Sequence, residues 1–178
     1  MEPFASIDTP HLRLVPATIE VLRAELQSPE ALADAIGARV PIGWPPGVYD
    51  RDAAEFFLAR LIEGGEPAAG WYSWYAILRP DGDLSPTLVA SCGYFGPPAD
   101  GIAEIGYSVV EAFRNRGIAA EMVEALVSRA FEWPGMRQVV AEVHQENAPS
   151  IAVLTRCGFR RIGAGRGPVD LRYAREMH

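Results

Sequence analysis

One short run in the middle of the chain, residues 114–119, combines two arginines with a glycine ahead of a helix-like pattern. Arg114 and Arg116 precede Gly117, and apolar residues at helical spacing follow it. Glycine at the start of a helix lets another group come close to the backbone N–H groups that the first turn leaves unpaired. Those N–H groups and the positive end of the helix dipole attract anions. The run, which we call the glycine loop, therefore predicts a cradle for phosphate groups.

The spacing alone does not carry this prediction, because it occurs twice. Residues 160–165 repeat the order of arginine, two residues, glycine, one residue and a small residue. This second copy runs into Arg166, Gly167 and Pro168, and glycine and proline disfavour the interior of a helix. Only the glycine loop precedes a helix pattern, and that context is what predicts the anion site.

A second constellation lies downstream, in residues 147–159. Asn147 is a candidate N-cap for a helix over residues 148–156, and Gly158 is suited to the left-handed conformation that ends a helix. Phe159 then returns the chain to the core. On its own this pattern indicates a capped helix and nothing more.

The segments around these motifs alternate between strand and helix patterns. Proline and glycine turns at residues 80–82 and 96–98 separate three central strands, which favours an antiparallel meander. Ser28 and Asp50 are candidate N-caps, and residues 41–47 form a proline-rich loop. Strands are predicted at 11–15, 71–78, 87–95, 102–110, 138–144 and 169–174, and helices at 18–26, 29–36, 50–63, from 118 to about 131, and 148–156. This order predicts an α/β mixture around one mixed sheet.

The composition bounds the class of protein. The 178 residues suffice for one sizeable core, and we expect a single domain over residues 1–178. A formal net charge of −7 argues against a nucleic-acid partner. Residues 1–10 hold no lysine, arginine or apolar run, and no stretch is long enough to span a membrane, so we expect a cytoplasmic protein. Cys92 and Cys157 lack ligand spacing, which indicates packing rather than a disulfide framework or a metal site.

Together the motifs resemble the GNAT superfamily of acetyl-coenzyme A-dependent N-acetyltransferases, over most of the chain. Residues 7–16 resemble the opening of the branch that contains the ribosomal-protein N-terminal alanine acetyltransferases, and residues 103–107 resemble its central strand. The glycine loop is similar to the pyrophosphate loop of that family, and residues 147–159 are similar to its following helix. One such motif is weak, whereas four in this order and spacing are specific.

The resemblance implies a fold and a donor site. The fold is α/β (α+β), a single GNAT-like domain with a central, mixed, mostly antiparallel twisted sheet of about seven strands flanked by helices. The strands that end at Val110 and His144 would splay apart and admit the arm of acetyl-CoA. The residues that the resemblance assigns to acetyl-CoA are Val109, Val110, Arg114, Arg116, Gly117, Ile118, Ala119, Ala120, Asn147 and Ser150.

Acetyl transfer of this kind needs a base for the acceptor ammonium, because the amine attacks the thioester directly in a ternary complex. Glu104 is the candidate base. Strand alternation places it on one face with Gly106 and Ser108, and the glycine would leave room for a ligand. The alternative is a solvated strand residue without a role. A backbone N–H near Val109 is the candidate for stabilising the oxyanion.

The departing thiolate needs a proton, and its source is open. Many family members carry a tyrosine seven residues after the asparagine, and here that position is Leu154. Ser150 is the candidate replacement, although a serine in a first helical turn is also typical of a cap or a cofactor contact, and solvent is a third source. His144 ends a strand near the expected cleft, where a lone histidine is typical of a loop cap.

The sequence contains little information about the acceptor. Trp44, Trp71, Tyr72 and Trp74 either line a pocket wall or pack in the core. We expect a primary amine on a protein N-terminus or a small molecule, and a homodimer stays open. The rival from another class is a catalytically silent acyl-CoA-binding module, which Leu154 and an idle Glu104 would favour. A mononucleotide-binding protein is disfavoured, because the glycine loop lacks a Gly-Lys-Ser/Thr sequence.

Overall fold

The computed structural model describes residues 5–80, 82 and 85–177, and these residues form one eight-stranded sheet. The strands are β1 (Ile7–Asp8), β2 (Leu12–Pro16), β3 (Ser73–Leu78), β4 (Thr87–Tyr94), β5 (Ile102–Val109), β6 (Gln138–His144), β7 (Arg160–Ala164) and β8 (Asp170–Glu176). Their order in the sheet is β1-β2-β3-β4-β5-β6-β8-β7. All neighbours are antiparallel except β5 and β6, which are parallel. The predicted class, a mixed and mostly antiparallel α/β sheet, is confirmed.

Two of these strands escape the sequence patterns. β1 has two residues, too few for an alternation to show. β7 contains most of the second arginine–glycine copy, and four of its five residues are exposed, so no apolar face marks it. It lies at one edge of the sheet and pairs with β8. The second copy is therefore a strand and not the start of a helix.

Helices cover both faces of the sheet. They are α1 (Ile19–Gln27), α2 (Pro29–Ile36), α3 (Arg51–Gly64), α4 (Ile118–Phe131) and α5 (Ala148–Arg156). β3 shows how the sheet divides two hydrophobic cores. Trp74 and Ala76 belong to the core under α4 and α5, whereas Tyr75 and Ile77 belong to the core under α1, α2 and α3.

Side-chain caps fix the beginnings of several helices. The Ser28 hydroxyl accepts a hydrogen bond from the Ala31 N–H at 3.1 Å, and the Asp50 carboxylate accepts one from the Ala53 N–H at 3.0 Å. Both caps were predicted from the sequence and are confirmed. α4 differs, because Gly117 stands at its N-cap and supplies no side chain. The first amides of α4 are therefore left for another acceptor.

The sheet opens between its two parallel strands. β5 and β6 pair over residues 102–105 and 138–141 and no further. Beyond that point β5 stays paired with β4 as far as Val109, and β6 stays paired with β8 as far as His144. The two strands therefore diverge, as the family resemblance implies.

Two expectations fall partly outside the described residues, namely the turn at 80–82, through residue 81, and the N-terminal stretch, through residues 1–4. Within the described ranges no helix is long and apolar enough to cross a membrane. The same ranges contain no group of three or more His, Cys, Asp or Glu side chains arranged to hold a metal ion.

Candidate active site

A cleft of about 620 Å³ opens where β5 and β6 diverge. Tyr49 and Phe57 line it from the side of α1–α3, while Ser150 and Leu154 line it from the side of α5. Glu104 lies between them, on β5. Because the lining comes from both faces of the sheet, two ligands can meet in this cleft from opposite sides.

The glycine loop lies just beyond the end of β5 and borders a neighbouring hollow of about 740 Å³. Gly117 has a φ of +79° and Asn115 a φ of +61°, two left-handed residues that turn the chain into α4. The first amide after the loop with a helical acceptor is that of Glu121, which donates to the Gly117 carbonyl at 3.1 Å. The N–H groups of residues 118–120 precede it and point out of the helix end.

Glycine at position 117 is required by the backbone rather than by crowding. A Cβ there would have no atom of the protein within 4 Å, but the positive φ strains any other residue. The space in front of the α4 amides is therefore open. Ile118 is buried in the core, and Ala119 and Ala120 are partly buried against it, so their side chains turn away from that space.

Arg114 and Arg116 fold back onto the segment between β5 and α4. Arg114 Nε donates to the Val109 carbonyl at 3.1 Å, and Arg116 Nη2 donates to the Ala112 carbonyl at 3.1 Å. The Arg116 guanidinium also lies 5.2 Å from the centroid of the Phe113 ring. Both arginines are exposed, so they brace the loop while keeping their charge at its surface.

The backbone of β5 offers different groups from those that the resemblance suggests. Val110 has none free, because its N–H donates to the Val89 carbonyl at 2.9 Å and its carbonyl accepts from the Phe113 N–H at 2.8 Å. Hydrogen bonding alternates along an antiparallel strand, so the N–H groups of Tyr107 and Val109 point away from β4 and into the opening. Val110, which the resemblance assigns to acetyl-CoA, thus offers no free backbone N–H to the opening, whereas Tyr107 offers one.

The start of α5 closes the other side of the opening. Asn147 caps the helix through Oδ1, which accepts from the Ser150 N–H at 3.2 Å. The Tyr107 hydroxyl donates to the Ser150 carbonyl at 3.2 Å and so ties β5 to this helical turn. Burial raises the pKa of Tyr107 to about 12, so its hydroxyl stays protonated as a donor. Sequence reasoning missed Tyr107 because its contact with α5 spans 43 positions.

Glu104 belongs to an ion-pair network on the other face of the sheet. Its carboxylate Oε1 pairs with Arg166 Nη2. Arg166 also donates from Nε to Glu142 at 3.2 Å, and Arg172 donates to the other oxygen of Glu142 at 2.8 Å. Only 15% of the Glu104 side chain is exposed, so the alternative of a freely solvated strand residue does not describe it.

The network sets the acidity of its carboxyl groups in opposite directions. Burial raises the pKa of Glu104, and although Arg166 opposes this shift, the charge of Glu142 adds to it. Burial also acts upward on Glu142, but the Arg166 backbone N–H and the paired arginines outweigh it and lower the pKa of that carboxyl. Glu104 is therefore the stronger proton acceptor of the two.

The room beside Gly106 is filled by the protein itself. A Cβ on Gly106 would lie 2.8 Å from the ring of Phe95, so the glycine admits this ring and not a ligand, contrary to the expectation from sequence. Ser108, on the same strand face, donates to the Pro46 carbonyl at 2.9 Å and holds the proline-rich loop against β5. Tyr49, Phe57 and Phe95 are the aromatic side chains on this side of the cleft.

The aromatic residues singled out in the sequence pack in the cores instead. Trp71 and Trp74 are buried under α4, and Trp71 contacts the rings of Tyr94 and Trp133. Trp44 and Tyr72 pack against the core under α1–α3. None of the four lines the cleft among the described residues. Strand periodicity shows that such residues are inside, but not which interior they face.

A half-buried carboxylate holds one wall of the cleft in place. Glu25, on α1, accepts hydrogen bonds from Trp44 Nε1 at 2.8 Å, from the Tyr49 hydroxyl at 2.8 Å and from the Tyr75 hydroxyl. Burial raises the pKa of Glu25, although the three donors act against that shift. Tyr49 lines the cleft, so Glu25 fixes the position of one of its walls.

His144 and the cysteines keep structural roles. His144 is exposed, and its Nδ1 accepts from the Glu146 N–H at 3.2 Å, which is the loop cap that the sequence indicated. Cys92 and Cys157 are free and buried. Burial raises the pKa of both thiols, that of Cys157 to about 11, so both are held as unreactive thiols.

The sequence matches a known protein family and several known proteins. Residues 11–160 match the family described as Acetyltransferase (GNAT) domain. YnaD of Bacillus subtilis (strain 168), an uncharacterised N-acetyltransferase, is 26% identical over 119 residues, which are 67% of this chain and 65% of that protein. YjdG of the same organism, also an uncharacterised N-acetyltransferase, is 23% identical over 154 residues, 86% of this chain and 88% of that protein. The chain thus spans just under two thirds of the first relative and most of the second.

The fold also matches solved structures. The ribosomal L7/L12 alpha-N-protein acetyltransferase RimL, solved in complex with coenzyme A, superposes with a TM-score of 0.66 at 18% identity. The superposition covers 97% of this chain and 98% of that chain.

Proposed function

This chain belongs to the GNAT family of acetyltransferase domains, and we propose that it transfers the acetyl group of acetyl-CoA to a primary amine by direct attack in a ternary complex. The acceptor is the amine of a protein N-terminus or of a small molecule. One observation carries the proposal. The opening between β5 and β6 has unpaired backbone amides at its α4 side and a half-buried carboxylate, Glu104, on the opposite face.

The donor side fits coenzyme A in its chemistry. The amides of residues 118–120 and the exposed Arg114 and Arg116 suit a pyrophosphate, because an uncapped helix start and two guanidinium groups concentrate positive charge there. The outward N–H groups of Tyr107 and Val109 suit the amide-bearing arm, which can pair with β5 like an added strand. Acetyl-CoA supplies the activated acyl group, and RimL, a structural neighbour, binds coenzyme A.

The acceptor side supports a role for Glu104 as general base. An ammonium must lose a proton before its nitrogen attacks, and a carboxylate with a raised pKa holds that proton more firmly than an exposed one. The proton passes to Glu104 directly or through a water molecule. Two N–H groups near the end of β5, those of Tyr107 and Val109, face the opening, and the one that the arm leaves unpaired is the donor that we assign to the oxyanion of the tetrahedral intermediate.

The leaving thiolate receives its proton from the side of the opening that α5 forms. Leu154 is buried and has no acidic proton, so it cannot donate a proton as the tyrosine of other members does. We assign Ser150 to the thiolate, as a hydrogen-bond donor that relays a proton from solvent. Tyr107 acts on Ser150 as a positioning residue through the Ser150 carbonyl.

The experiment that tests this function follows the release of the coenzyme A thiol from acetyl-CoA in the presence of peptides, polyamines, amino acids and aminoglycosides. We expect release that depends on an amine and yields the N-acetylated product by mass spectrometry. Calorimetry with coenzyme A runs in parallel. Binding with no turnover on any amine would favour the silent acyl-CoA-binding module, and absence of binding would remove the donor assignment itself.

A further inference from the structure

The connection between β7 and β8, residues 165–169, is a tightly built loop that carries one charged side chain into the cleft. The Gly165 N–H donates to the Asp170 carbonyl at 2.7 Å, and the Gly167 N–H donates to the Asp170 carboxylate at 3.1 Å. A Cβ on Gly167 would lie 2.2 Å from that carboxylate, so any larger residue would have to displace the Asp170 side chain. The Arg166 N–H is itself held by Glu142 at 3.1 Å. These contacts fix the backbone of Arg166 and so the direction of its side chain.

The Arg166 side chain reaches Glu104 and remains open to the cleft. Its guanidinium is shared between Glu104 and Glu142, and 67% of the side chain is exposed. Glu142 does not depend on it, because Arg172 pairs with the other Glu142 oxygen at 2.8 Å. Among the described residues, Glu104 Oε2 and Arg166 Nη1 have no hydrogen-bond partner. One carboxylate oxygen of Glu104 and one guanidinium nitrogen of Arg166 are thus available to a ligand, and the two side chains are in direct contact.

We propose that Glu104 and Arg166 together recognise an acceptor that carries a carboxylate next to its reacting amine. The inference rests on the proposed function, since it places the acceptor amine at Glu104. The ammonium of such an acceptor pairs with Glu104, and its carboxylate pairs with the free face of the Arg166 guanidinium. A simple amine engages only the first of these groups.

The chemistry of the two groups supports this class of acceptor. One carbon separates the amine and the carboxylate of an α-amino acid, which matches a Glu–Arg pair in direct contact. The planar guanidinium has five donors and binds carboxylates through two parallel hydrogen bonds. Tyr49 and Phe57 line the same side of the cleft and offer an apolar wall to the rest of the acceptor. The carboxylate has two sources, the main chain of a free amino acid or an acidic first residue of a peptide.

The test compares acceptors that differ only in the carboxylate. kcat/KM is measured for free amino acids and for their α-carboxamides, and for short peptide amides that begin with aspartate or with asparagine. The enzymes are the wild type, Arg166→Gln, Arg166→Lys and the control Arg79→Gln. Arg79 pairs with Asp8 on the far edge of the sheet, so its variant also breaks one exposed arginine–carboxylate pair.

We expect Arg166→Gln to lower kcat/KM for the carboxylate-bearing acceptor about 10- to 100-fold relative to its amide, the range for a hydrogen bond to a charged group. Arg166→Lys should keep part of the preference, because it keeps the charge but not the fork. Arg79→Gln should keep all of it. The ratio of kcat/KM for the two acceptors cancels any loss of folded enzyme. Comparing that ratio between wild type and variant also cancels the difference in intrinsic reactivity between the two amines.

A preference in the amino-acid arm or in the peptide arm supports the proposal and identifies the source of the carboxylate. Equal loss for both members of each pair in Arg166→Gln would overturn it and leave Arg166 as a residue that only positions Glu104. Turnover without any carboxylate preference in the wild type would overturn it as well, while the proposed function would stand. Calorimetry of the same acceptor pairs on the coenzyme A complex gives the comparison without turnover, so failure of catalysis does not conceal the result.

Discussion

The strength of Glu104 as the proposed base depends on its surroundings. Burial has the largest influence and raises its pKa, Arg166 lowers it, and the charge of Glu142 raises it again. A base acts when deprotonated, so activity is present above this pKa and is lost as the pH falls through it. We expect Glu104→Gln to lower kcat/KM about 100-fold or more near neutral pH and to flatten the acid limb of the profile.

Affinity for coenzyme A should be unchanged in that variant, because Glu104 lies on the opposite side of the opening from α4. Glu30→Gln, an exposed carboxylate on α2, is the matched control and should behave as wild type. A wild-type pH profile in Glu104→Gln would remove this residue from the chemistry.

The two roles proposed for Ser150, as a donor to the thiolate and as a contact of the cofactor, can be separated by experiment. If it serves the leaving group, Ser150→Ala should lower kcat about tenfold, a little below the usual range for proton transfer because solvent can substitute. KM for acetyl-CoA should change by less than about twofold, since only the side chain is lost. Steady-state kinetics separate the two parameters. A rise in KM alone would make Ser150 a binding residue.

The α4 start can be tested against the second copy of its own motif. Gly117→Val places a β-branched residue at a φ of +79° and a side chain in front of the open amides, so we expect coenzyme A affinity to fall at least about tenfold. Gly163→Val is the matched control, because Gly163 has the same motif spacing, no positive φ and nothing within 4 Å of its Cβ position. Calorimetry measures both. Equal affinities in the two variants would contradict the phosphate assignment.

The half-buried Glu25 carboxylate ties α1 to the loop that precedes α3. Glu25→Ala leaves Trp44, Tyr49 and Tyr75 without their acceptor, and we expect it to destabilise the fold by about 2–4 kcal/mol. Glu25→Gln keeps an oxygen in place and should cost less. Denaturant unfolding measures both changes. An unaltered midpoint in Glu25→Ala would show that the three donors find other partners.

Across the whole chain, the sequence predicted what is encoded locally. Caps such as Ser28 and Asp50 and the turn at Gly117 depend on neighbours within a few residues, and all lie where the sequence indicated. The Glu104–Arg166 pair joins positions 62 residues apart, and it exists only because β7 curls back beside β8 at the sheet edge. No local sequence pattern predicts such a contact. The strand that precedes Arg166, β7, is not predicted either, because its exposed arginines leave it without an apolar face.

The sheet has a short junction at the opening that we propose as the binding site. β5 and β6 share only residues 102–105 and 138–141, so the two halves of the sheet are joined by a short ladder. A ligand that pairs with β5 and the α4 amides binds the folded state only, and at a hundredfold excess over its Kd it adds about 2.7 kcal/mol of stability. For a chain of this size that corresponds to a rise in Tm of about 5–10 °C.

We therefore expect coenzyme A to raise the Tm by this amount in calorimetric scans. Hydrogen exchange should slow at the amides of Tyr107, Val109 and residues 118–120, and not at β1 or β2. In Gly117→Val, whose affinity we expect to fall at least about tenfold, the rise in Tm should drop to about half or less at the same ligand concentration, and the exchange protection should weaken. Protection confined to the hollow beside β1 and α4, with the β5 amides unaffected, would place the ligand outside the opening and contradict the strand-like mode of binding.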